Sequence, residues 1–564
     1  MTAATRPQTP VSPQYKKQSR SAQFPANVLP GPKGRIPAFV MIDPASLREL
    51  RAEIVSRGML PIDVTMTLAG TYKDLPMRVD RTGIRFNEDT ETWQVIVAKY
   101  NVVDLLEFMQ SLSDAWNLQY VACMADNETG VQYADLIAAC FGLPHNSLRL
   151  LRARRDKAEM KRAVAEAGLR VAKYTRVFDS ETVPRTMLRH HFPVVVKSPQ
   201  SAGTDLVFVC KSEAEVRKAV STVLQTRDCF NHLPCFALVE EFIEGQEYAV
   251  NMMATPHEVK VTDVWRYDKR VDEHGTPIYE QTWVAQAELE TDIESATYTA
   301  LAQYGERVAR AVGIERGPAH MEARMTKDGP VMIEIAARFC GGRKPSLSKD
   351  AIEGWDPFKA AVDVFLGRPV QWPPSFRPLK YVKHVFLSST RDGVVESVEG
   401  LEEIKALPSF YHLERPLAIH PGTVITHTGN YFTYPAFVYL MSSDRAQIEA
   451  DYQAVMNHFQ VRLVGDPPLN PPSPVIPAPA PVQPISKMHS SKSVIEEKME
   501  TSLPVHLVAA ATAAMCGASV VLGRRMQAQA HKRNETVFKS AVAAARSWAA
   551  ASWRWRGREG TGRK

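Results

Sequence analysis

The alternation of short apolar runs with helical stretches constrains the fold of this chain more than any other feature of its sequence. An apolar run over 38–42 precedes a helical stretch over 47–57 and a second apolar run over 62–66, and the same order recurs over 94–141. Such a rhythm predicts βαβ units in an open, mostly parallel α/β sheet. No GxGxxG follows the first run, so a dinucleotide site is not expected, although open sheets bind other ligands at the carboxyl ends of their strands.

A second set of elements follows residue 150. A helix is predicted over 154–167 and another over 213–224, because apolar side chains recur on one face of each. Short apolar runs predict strands at 194–197, 206–210, 236–240, 248–253, 259–265, 319–325 and 330–335. A smaller α/β segment follows the Pro-Pro pair at 373–374 and extends to about residue 464.

The two ends of the chain differ in composition from its middle. Residues 1–35 are rich in Pro, Ser, Gln and basic residues without a hydrophobic period, which predicts a disordered basic arm. An organelle transit peptide is the alternative interpretation of this acid-free start. The segment 466–502 opens with a Pro-rich stretch, which predicts a stiff and extended linker.

The segment 503–523 is apolar and rich in Ala and Gly. Its length is enough to cross a bilayer, but its weak hydrophobicity makes a buried or surface helix an equal alternative. The tail 524–564 combines basic residues with Trp548, Trp553 and Trp555. That composition suits an anionic membrane surface, and a solvated basic tail is the other interpretation.

The charge distribution argues against nucleic acid as a partner. Residues 1–42 carry six Lys or Arg and no acid, and residues 523–564 carry eleven against two Glu, so the residues between have a net charge of −9 within a total of +6. Binding to a phosphate backbone needs a basic surface, which this interior does not predict. Seven cysteines without a CxxC pair predict reduced thiols and a cytoplasmic protein, with membrane anchoring and organelle targeting as alternatives.

Two lysines stand where a polyphosphate would need them. Lys157 lies at the start of a predicted helix, and Lys197 ends the apolar strand 194–197 forty positions later. Point charges on two sides suit a chain of phosphates, although most single lysines are only solvated. The loop after Lys197 contains Ser201, Gly203 and Thr204, whose small side chains would let backbone N–H groups close over phosphates. An ordinary hairpin turn is the alternative for this loop.

Two glutamates interrupt adjacent apolar strands. Glu322 and Glu334 lie in strands joined by the turn 326–329, so antiparallel pairing would bring both carboxylates to one face. Like charges in an apolar setting need a cation between them. We therefore expect Mg²⁺ at this place, or Mn²⁺ instead, since hard cations bind carboxylate and phosphate oxygens.

These motifs follow one another in a fixed order: Asp156-Lys157, 194–204, 239–247, 320–322 and 334–338. With this order the chain resembles the ATP-grasp superfamily and, within it, the L-amino acid ligase and carnosine synthase-like branch, over about residues 36–460. The resemblance implies an α/β ATP-grasp fold with three parts. They are an N-terminal Rossmann-like pre-ATP-grasp domain (36–147), an ATP-grasp domain with a nucleotide-binding α+β lid subdomain (148–372) and a C-terminal α/β subdomain (373–465).

The resemblance also implies roles for single residues in binding ATP. Lys157 and Lys197 match the phosphate-binding lysines, and the loop with Ser201, Gly203 and Thr204 matches the phosphate lid. The stretch with Glu240, Glu241 and Ile243 matches the hinge that contacts adenine, and Glu247 matches the residue that binds the ribose hydroxyls. A carboxylate is suited to accept two hydroxyl donors.

Arg338 matches the arginine that steadies the transferring phosphoryl group in this superfamily. A fixed guanidinium suits charge that grows in a transition state. Many members carry Asn two residues after the second glutamate, where this chain has Ala336. This departure leaves the number of Mg²⁺ ions open.

The sequence identifies the residues of the substrate pockets less clearly than those of the nucleotide site. Arg266, Lys269, Gly342 and Arg343 lie in segments that resemble regions facing the substrates of related ligases. The three cations could hold a carboxylate or be ordinary surface charges. Cys340 has no His partner nearby in the sequence, so we interpret it as a small packing residue.

The resemblance implies an ATP-dependent carboxylate–amine ligase that works through an acyl phosphate. Its partners would be a small carboxylate and a small amine, and related ligases suggest a homodimer. One alternative is another ATP-grasp enzyme, either a carboxylase or a phosphoribosyl-type enzyme. The other is a membrane-tethered ATP-binding scaffold with little catalysis, which Ala336 and the apolar, basic C-terminus suggest.

Overall fold

The computed structural model describes residues 34–43, 48–65, 83–87, 92–96, 102–183, 192–271, 277–284, 292–414 and 419–466. Nearly all of the predicted basic arm, the Pro-rich linker, the apolar segment 503–523 and the basic tail lie outside these ranges. Within the described ranges, no helix combines the length and the apolar character needed to cross a membrane.

The N-terminal unit is an open sheet covered on both faces. Its strand order is β3-β4-β2-β1-β5, with all pairs parallel except the antiparallel edge strand β3. Alternate residues of the central strand face opposite cores, as strand periodicity requires: Val40 packs with the helices of this unit, whereas Phe39 packs against Phe358 and Phe365 of a later helix. The elements are β1 (Ile36–Ile42), α1 (Arg48–Ser56), β2 (Leu60–Thr65), β3 (Gly83–Asn87), β4 (Thr92–Ile96), α2 (Val102–Ala115), β5 (Leu118–Ala125) and α3 (Val131–Cys140).

A four-stranded antiparallel sheet forms the second unit, in the order β6-β9-β7-β8. The valines of its central strands pack against one helix, with Val194, Val196 and Val239 next to Val216 and Val220. The elements that precede and build this sheet are α4 (Lys157–Glu166), β6 (Tyr174–Val177), β7 (Val194–Lys197), β8 (Val207–Cys210), α5 (Glu213–Gln225) and β9 (Ala237–Glu241).

The third unit is an eight-stranded antiparallel sheet, in the order β14-β13-β10-β11-β12-β15-β19-β17, with a small sheet β18-β16-β20 beside it. Hydrogen bonds between β12 and β15 carry the large sheet across the segment boundary expected near residue 372. The elements are β10 (Gln246–Ala254), β11 (Val259–Val271), β12 (Pro277–Val284), α6 (Asp292–Ala311), β13 (Gly317–Thr326), β14 (Gly329–Ala336), α7 (Lys344–Ala351), α8 (Pro357–Phe365), β15 (Tyr381–Leu387), β16 (Gly393–Glu399), α9 (Leu401–Lys405), β17 (Phe410–Glu414), β18 (Val424–Ile425), β19 (Ala436–Ser442), α10 (Arg445–His458) and β20 (Gln460–Leu463).

The structure differs from the sequence-based elements in a few places. The helix expected over 154–167 begins at Lys157, because the Asp156 side chain accepts hydrogen bonds from the N–H groups of Ala158 and Glu159 and caps it. Strand β11 continues six residues beyond its expected end. These residues are mostly charged, so the apolar pattern did not predict them as part of the strand. Helix α6 was not predicted, although Leu301, Tyr304 and Val308 mark its buried face at helical spacing.

A buried arginine joins the N-terminal unit to the rest of the chain. Arg154 Nη2 lies 2.7 Å from Asp135 Oδ2 of α3, and Arg154 Nη1 donates to the carbonyls of Val312 and Gly313 at 3.1 and 3.2 Å. The second Asp135 oxygen accepts from the N–H of Asn146 at 2.9 Å. Every partner in this network is satisfied, which fixes the two units to each other.

We predict that Arg154→Met lowers the free energy of unfolding by about 3 kcal/mol, because Asp135 would remain as a buried charge without its counter-ion. Arg162→Met is the matched control, since Arg162 is half-exposed and pairs with Glu159 and Glu166 on the surface of α4. It should cost less than about 1 kcal/mol. Urea unfolding of the full chain measures both, and equal losses would contradict the buried junction.

Candidate functional site

A cavity of about 1720 Å³ lies where the three units meet, and every site residue proposed from the sequence lines it. Its walls come from the carboxyl end of β5, the β7–β8 hairpin, strands β9 to β14, and the aromatic residues near β19. The predicted site residues, which lie between Lys157 and Arg343 in the sequence, therefore converge on one cavity.

Lys157 holds one side of the site together. The Asp156 cap places it at the first turn of α4, and its own N–H donates to the carbonyl of Pro199 at 3.0 Å. Its ammonium lies 2.9 Å from Glu334 Oε2 and donates to the carbonyl of Ser201 at 2.6 Å. This buried lysine thus connects the helix, the loop after β7 and strand β14.

Lys197 and a second lysine share one carboxylate. Lys197 Nζ lies 3.0 Å from Glu240 Oε2, and Lys161 Nζ lies 3.4 Å from Glu240 Oε1. Burial lowers the pKa of Lys161 to about 8, and the charges of Lys197 and Lys157 act in the same direction. Sequence analysis missed Lys161, although its position four residues after Lys157 places both lysines on one face of α4.

The two glutamates expected to hold a metal stand opposite each other. Strand β13 pairs with β14 antiparallel, as predicted, and a bulge between Glu322 and Ala323 shifts the register so that Glu322 lies opposite Glu334; regular pairing from the turn 326–329 would place Glu322 opposite Ile333. Burial opposes ionisation of Glu334, but the charges of Lys157, Lys197 and Arg338 lower its pKa to about 2. Glu334 is therefore a carboxylate throughout the physiological pH range, in a strongly positive setting.

Arg338 follows β14 and is held by a residue of the N-terminal unit. Its Nε donates to Glu128 Oε2 at 2.9 Å, and its Nη1 donates to the carbonyl of Phe339 at 2.6 Å. Arg155 Nη1 approaches the other Glu128 oxygen at 3.3 Å. Sequence analysis missed Glu128, and the available signal was its place directly after β5, at the carboxyl end of the open sheet.

Glu241 and Glu247, which were also predicted for the nucleotide site, are engaged as well. Glu247 is buried between Lys269, at 2.5 Å, and Arg324, at 3.3 Å. Burial opposes its ionisation, but these two charges lower the pKa of Glu247. Glu241 Oε1 accepts from the N–H of Lys173 at 2.9 Å. The carbonyl of Ile243 accepts from Arg324 at 2.8 Å.

The small-residue loop is a hairpin connection packed against the C-terminal part of the chain. Gly203 and Thr204 have φ values of +64° and +66°, and a Cβ on Gly203 would lie 3.0 Å from Tyr431 Cβ. The N–H of Tyr431 donates to the Gly203 carbonyl at 2.9 Å, and Ser201 Oγ donates to Asp205 at 2.6 Å. The loop is thus a hairpin connection that borders the cavity, and its role as a phosphate lid stays a prediction.

The residues expected to face substrates all line the cavity, but their charges are already paired. Arg266 Nε lies 3.0 Å from Asp268, and Arg343 Nη1 lies 3.5 Å from Glu49. Lys269 binds Glu247 as described above. Gly342 has a φ of +69°, and a Cβ there would lie 2.5 Å from the Tyr439 hydroxyl, so only glycine fits.

Cys340 has the histidine neighbour that the sequence did not reveal. His320 Nε2 lies 4.0 Å from Cys340 Sγ, and His320 Nδ1 is 2.8 Å from Asn251 Oδ1. Burial opposes both charges, yet the pair lowers the pKa of Cys340 and raises that of His320 to about 9. No histidine lies near Cys340 in the sequence, but β13 brings His320 beside the loop that follows β14. Cys340 is buried, and its interpretation as a small packing residue stays a prediction.

Two families match the sequence over most of the residues that form this site. Residues 190–346 match the ATP-grasp domain, and residues 385–464 match the L-amino acid ligase C-terminal domain 2. Dapdiamide A synthase of Enterobacter agglomerans is 33% identical over 337 residues, which are 58% of this chain and 76% of that protein.

More distant similarity extends to other ligases. The L-arginine-specific L-amino acid ligase of Bacillus subtilis is 20% identical over 314 residues, which are 55% of this chain and 72% of that protein. The crystal structure of an L-amino acid ligase from Bacillus licheniformis superposes with a TM-score of 0.61 at 17% identity, covering 76% of this chain and 99% of that one. These matches confirm the fold class predicted from the sequence.

We predict that Glu334→Gln lowers the free energy of unfolding by about 2 kcal/mol at pH 7, because three cations lose their shared counter-charge. Since folding lowers the pKa of Glu334, its stabilisation is complete above about pH 4.5 and is lost as the pH falls towards 2. The difference in free energy of unfolding between the wild type and Glu334→Gln should therefore be constant between pH 7 and 5. It should become smaller by about 1 kcal/mol at pH 3.5.

Chemical unfolding at a series of pH values measures this difference. Glu396→Gln is the matched control, because the half-exposed Glu396 pairs with Arg462 far from the cavity. A deficit of Glu334→Gln that is independent of pH would show that the field of the three cations does not act on this carboxylate.

Proposed function

We propose that this chain, which belongs to the ATP-grasp superfamily and within it to the L-amino acid ligases, joins the carboxylate of one small molecule to the amine of another with ATP as the energy source. The observation that carries the proposal is the register that sets Glu322 opposite Glu334 in a cavity with Lys157, Lys197 and Arg338. Two carboxylates and three cations suit a triphosphate and its divalent ion.

ATP would lie between the β7–β8 hairpin and the large sheet. Lys157, Lys197 and the hairpin loop border the side that suits the phosphates. The apolar residues Val195, Val207 and Phe242 line the same cavity and suit a flat base. Because the carboxylates of Glu240 and Glu241 are already engaged, the hinge would contact adenine through backbone groups near Ile243.

The reaction proceeds in two steps. An oxygen of the substrate carboxylate attacks the γ-phosphorus of ATP, the bond between that phosphorus and the bridging oxygen breaks, and ADP leaves. The amine nitrogen then attacks the acyl carbon, the bond to the phosphate oxygen breaks, and inorganic phosphate leaves with that electron pair while the nitrogen loses a proton. Lys157, Lys197 and Arg338 position the phosphates and offset their growing charge.

Glu322 and Glu334 fit a divalent ion, because both are hard oxygen donors placed opposite each other on one strand pair. Within the described ranges, no group of three or more His, Cys, Asp or Glu side chains could hold a metal, so phosphate and water oxygens would complete its shell. Bound Mg²⁺, or Mn²⁺, would neutralise phosphate charge. The methyl side chain of Ala336 has no atom that could coordinate the ion.

Amino acids are the substrate class that the similarity supports. The match to the L-amino acid ligase C-terminal domain and the identity with dapdiamide A synthase favour amide formation over a carboxylase or phosphoribosyl-type reaction. The product would then be a dipeptide-like amide. A homodimer, and contact of residues 503–564 with a membrane, remain predictions of the sequence.

An ADP-release screen of paired amino acids, with mass detection of the product, tests this proposal. We expect wild-type turnover with at least one pair, and no ADP release from Glu334→Ala. We expect kcat to fall at least about 100-fold in Arg338→Lys, since a planar guanidinium aimed at developing charge is lost. Glu396→Ala should keep the wild-type rate.

Two outcomes would contradict these assignments. Turnover of Glu334→Ala at the wild-type rate would refute the metal role of Glu334. ATP binding without ADP release over the whole panel would favour a nucleotide-binding scaffold over a ligase.

A further inference from the structure

The cations expected to hold a substrate carboxylate each have a carboxylate partner within the protein. Arg266, Lys269 and Arg343 lie within 3.5 Å of Asp268, Glu247 and Glu49, respectively. A substrate carboxylate would have to displace these partners. A cation without such a partner would bind an incoming carboxylate at lower cost.

Lys344 is such a cation. It is the first residue of α7, is 5% exposed, and lines the cavity. Among the residues that the structure describes, no carboxylate lies within 4.0 Å of its ammonium. Burial opposes ionisation of the Cys340 thiol, but the charge of Lys344 is among those that lower its pKa.

The contacts of Lys344 fix its position without neutralising it. Its Nζ lies 3.2 Å from His384 Nδ1, and 5.5 and 5.6 Å from the ring centroids of Trp265 and Tyr267. His384 is fully buried between the stacked rings of Phe386 and Tyr439. Burial, together with the charge of Lys344, lowers the pKa of His384 well below its usual value.

His384 is therefore neutral and accepts one hydrogen bond from the ammonium. Its other nitrogen, Nε2, is buried without a hydrogen-bond partner, so the imidazole brings no further charge to this place. An ammonium has three donors, and the neutral imidazole accepts only one. Two aromatic faces compensate part of the lost hydration of Lys344, but a buried cation remains costly until an anion pairs with it.

We propose that Lys344 binds a substrate carboxylate that does not react. This inference rests on the proposed function, because it names a subsite of the same cavity. The reacting carboxylate must reach the phosphate between Glu334 and Arg338. An amino acid that supplies the amine keeps its own carboxylate throughout the reaction, and that group matches the unpaired ammonium.

The neighbouring wall indicates the side chain of this substrate. Four aromatic residues line the cavity together with Lys344: Tyr267, Tyr279, Phe386 and Phe437. The ring of Tyr279 contacts the rings of Tyr267 and Phe386, so β11, β12 and β15 present one aromatic surface. Aromatic walls favour apolar and aromatic ligands. The subsite would therefore take the α-carboxylate of an apolar amino acid.

Binding measurements on the full chain test the subsite directly. The probes are L-phenylalanine, L-leucine and L-alanine, each compared with its C-terminal carboxamide by calorimetry in the presence of Mg²⁺ and a non-hydrolysable ATP analogue. We expect the wild type to bind the best acid about 10- to 100-fold more tightly than its amide, the range for a hydrogen bond to a charged group. Lys344→Met should bind acid and amide equally.

Lys349→Met is the matched control, because Lys349 lies on the same helix but pairs with Asp356 away from the cavity. It should keep the preference for the acid. Lys344→Met should also unfold at a temperature no lower than the wild type, since it removes a buried ammonium and keeps an apolar stem of similar length.

The outcomes separate this inference from the proposed function. Wild-type protein that binds no acid more tightly than its amide, or Lys344→Met that keeps the preference, would overturn the subsite even if ADP release occurs. Absence of ADP release over the whole panel would refute the ligase proposal, while a preference for the acid that depends on Lys344 would still support the subsite.

Discussion

The pairing of β13 with β14 is the constraint on which the rest of the site depends. It sets Glu322 opposite Glu334, and two carboxylates at the wall of a cavity are tolerated only where cations surround them. Lys157 from α4 and Arg338 from the segment after β14 meet that need. The helix, the hairpin loop and the N-terminal unit thus all reach the surroundings of these two strands, through Lys157, the Ser201 carbonyl and Glu128.

Each main cation of the cavity is held by a carboxylate of the protein itself. Glu334 pairs with Lys157, Glu240 with Lys197, Glu128 with Arg338, and Glu247 with Lys269. Such pairs hold the cations in fixed places before any ligand arrives. Lys344 departs from this rule, since a neutral histidine and two aromatic rings hold it. That contrast is the physical basis for separating a phosphate region from a carboxylate subsite.

Sequence alone predicted the parts of this site that depend on local pattern. Strand β7 was predicted with its observed bounds, and the turn 326–329 predicted the antiparallel pairing of β13 with β14. The bulge that places Glu322 opposite Glu334 was not predicted, since it interrupts the regular register. The sequence did not reveal Glu128, which reaches Arg338 from 210 positions away. It also missed the proximity of His320 to Cys340, because that contact depends on the path of the chain after β14 and leaves no periodic signal.

The position of a bound metal and of the phosphates decides whether Glu322 and Glu334 form the metal site. A crystal structure of the full chain with Mn²⁺ and a non-hydrolysable ATP analogue would locate the metal by its anomalous scattering. We expect a peak in contact with both Glu322 and Glu334, with the phosphates within reach of Lys157 and Lys197. A metal bound elsewhere, or phosphates bound outside this cavity, would contradict this assignment.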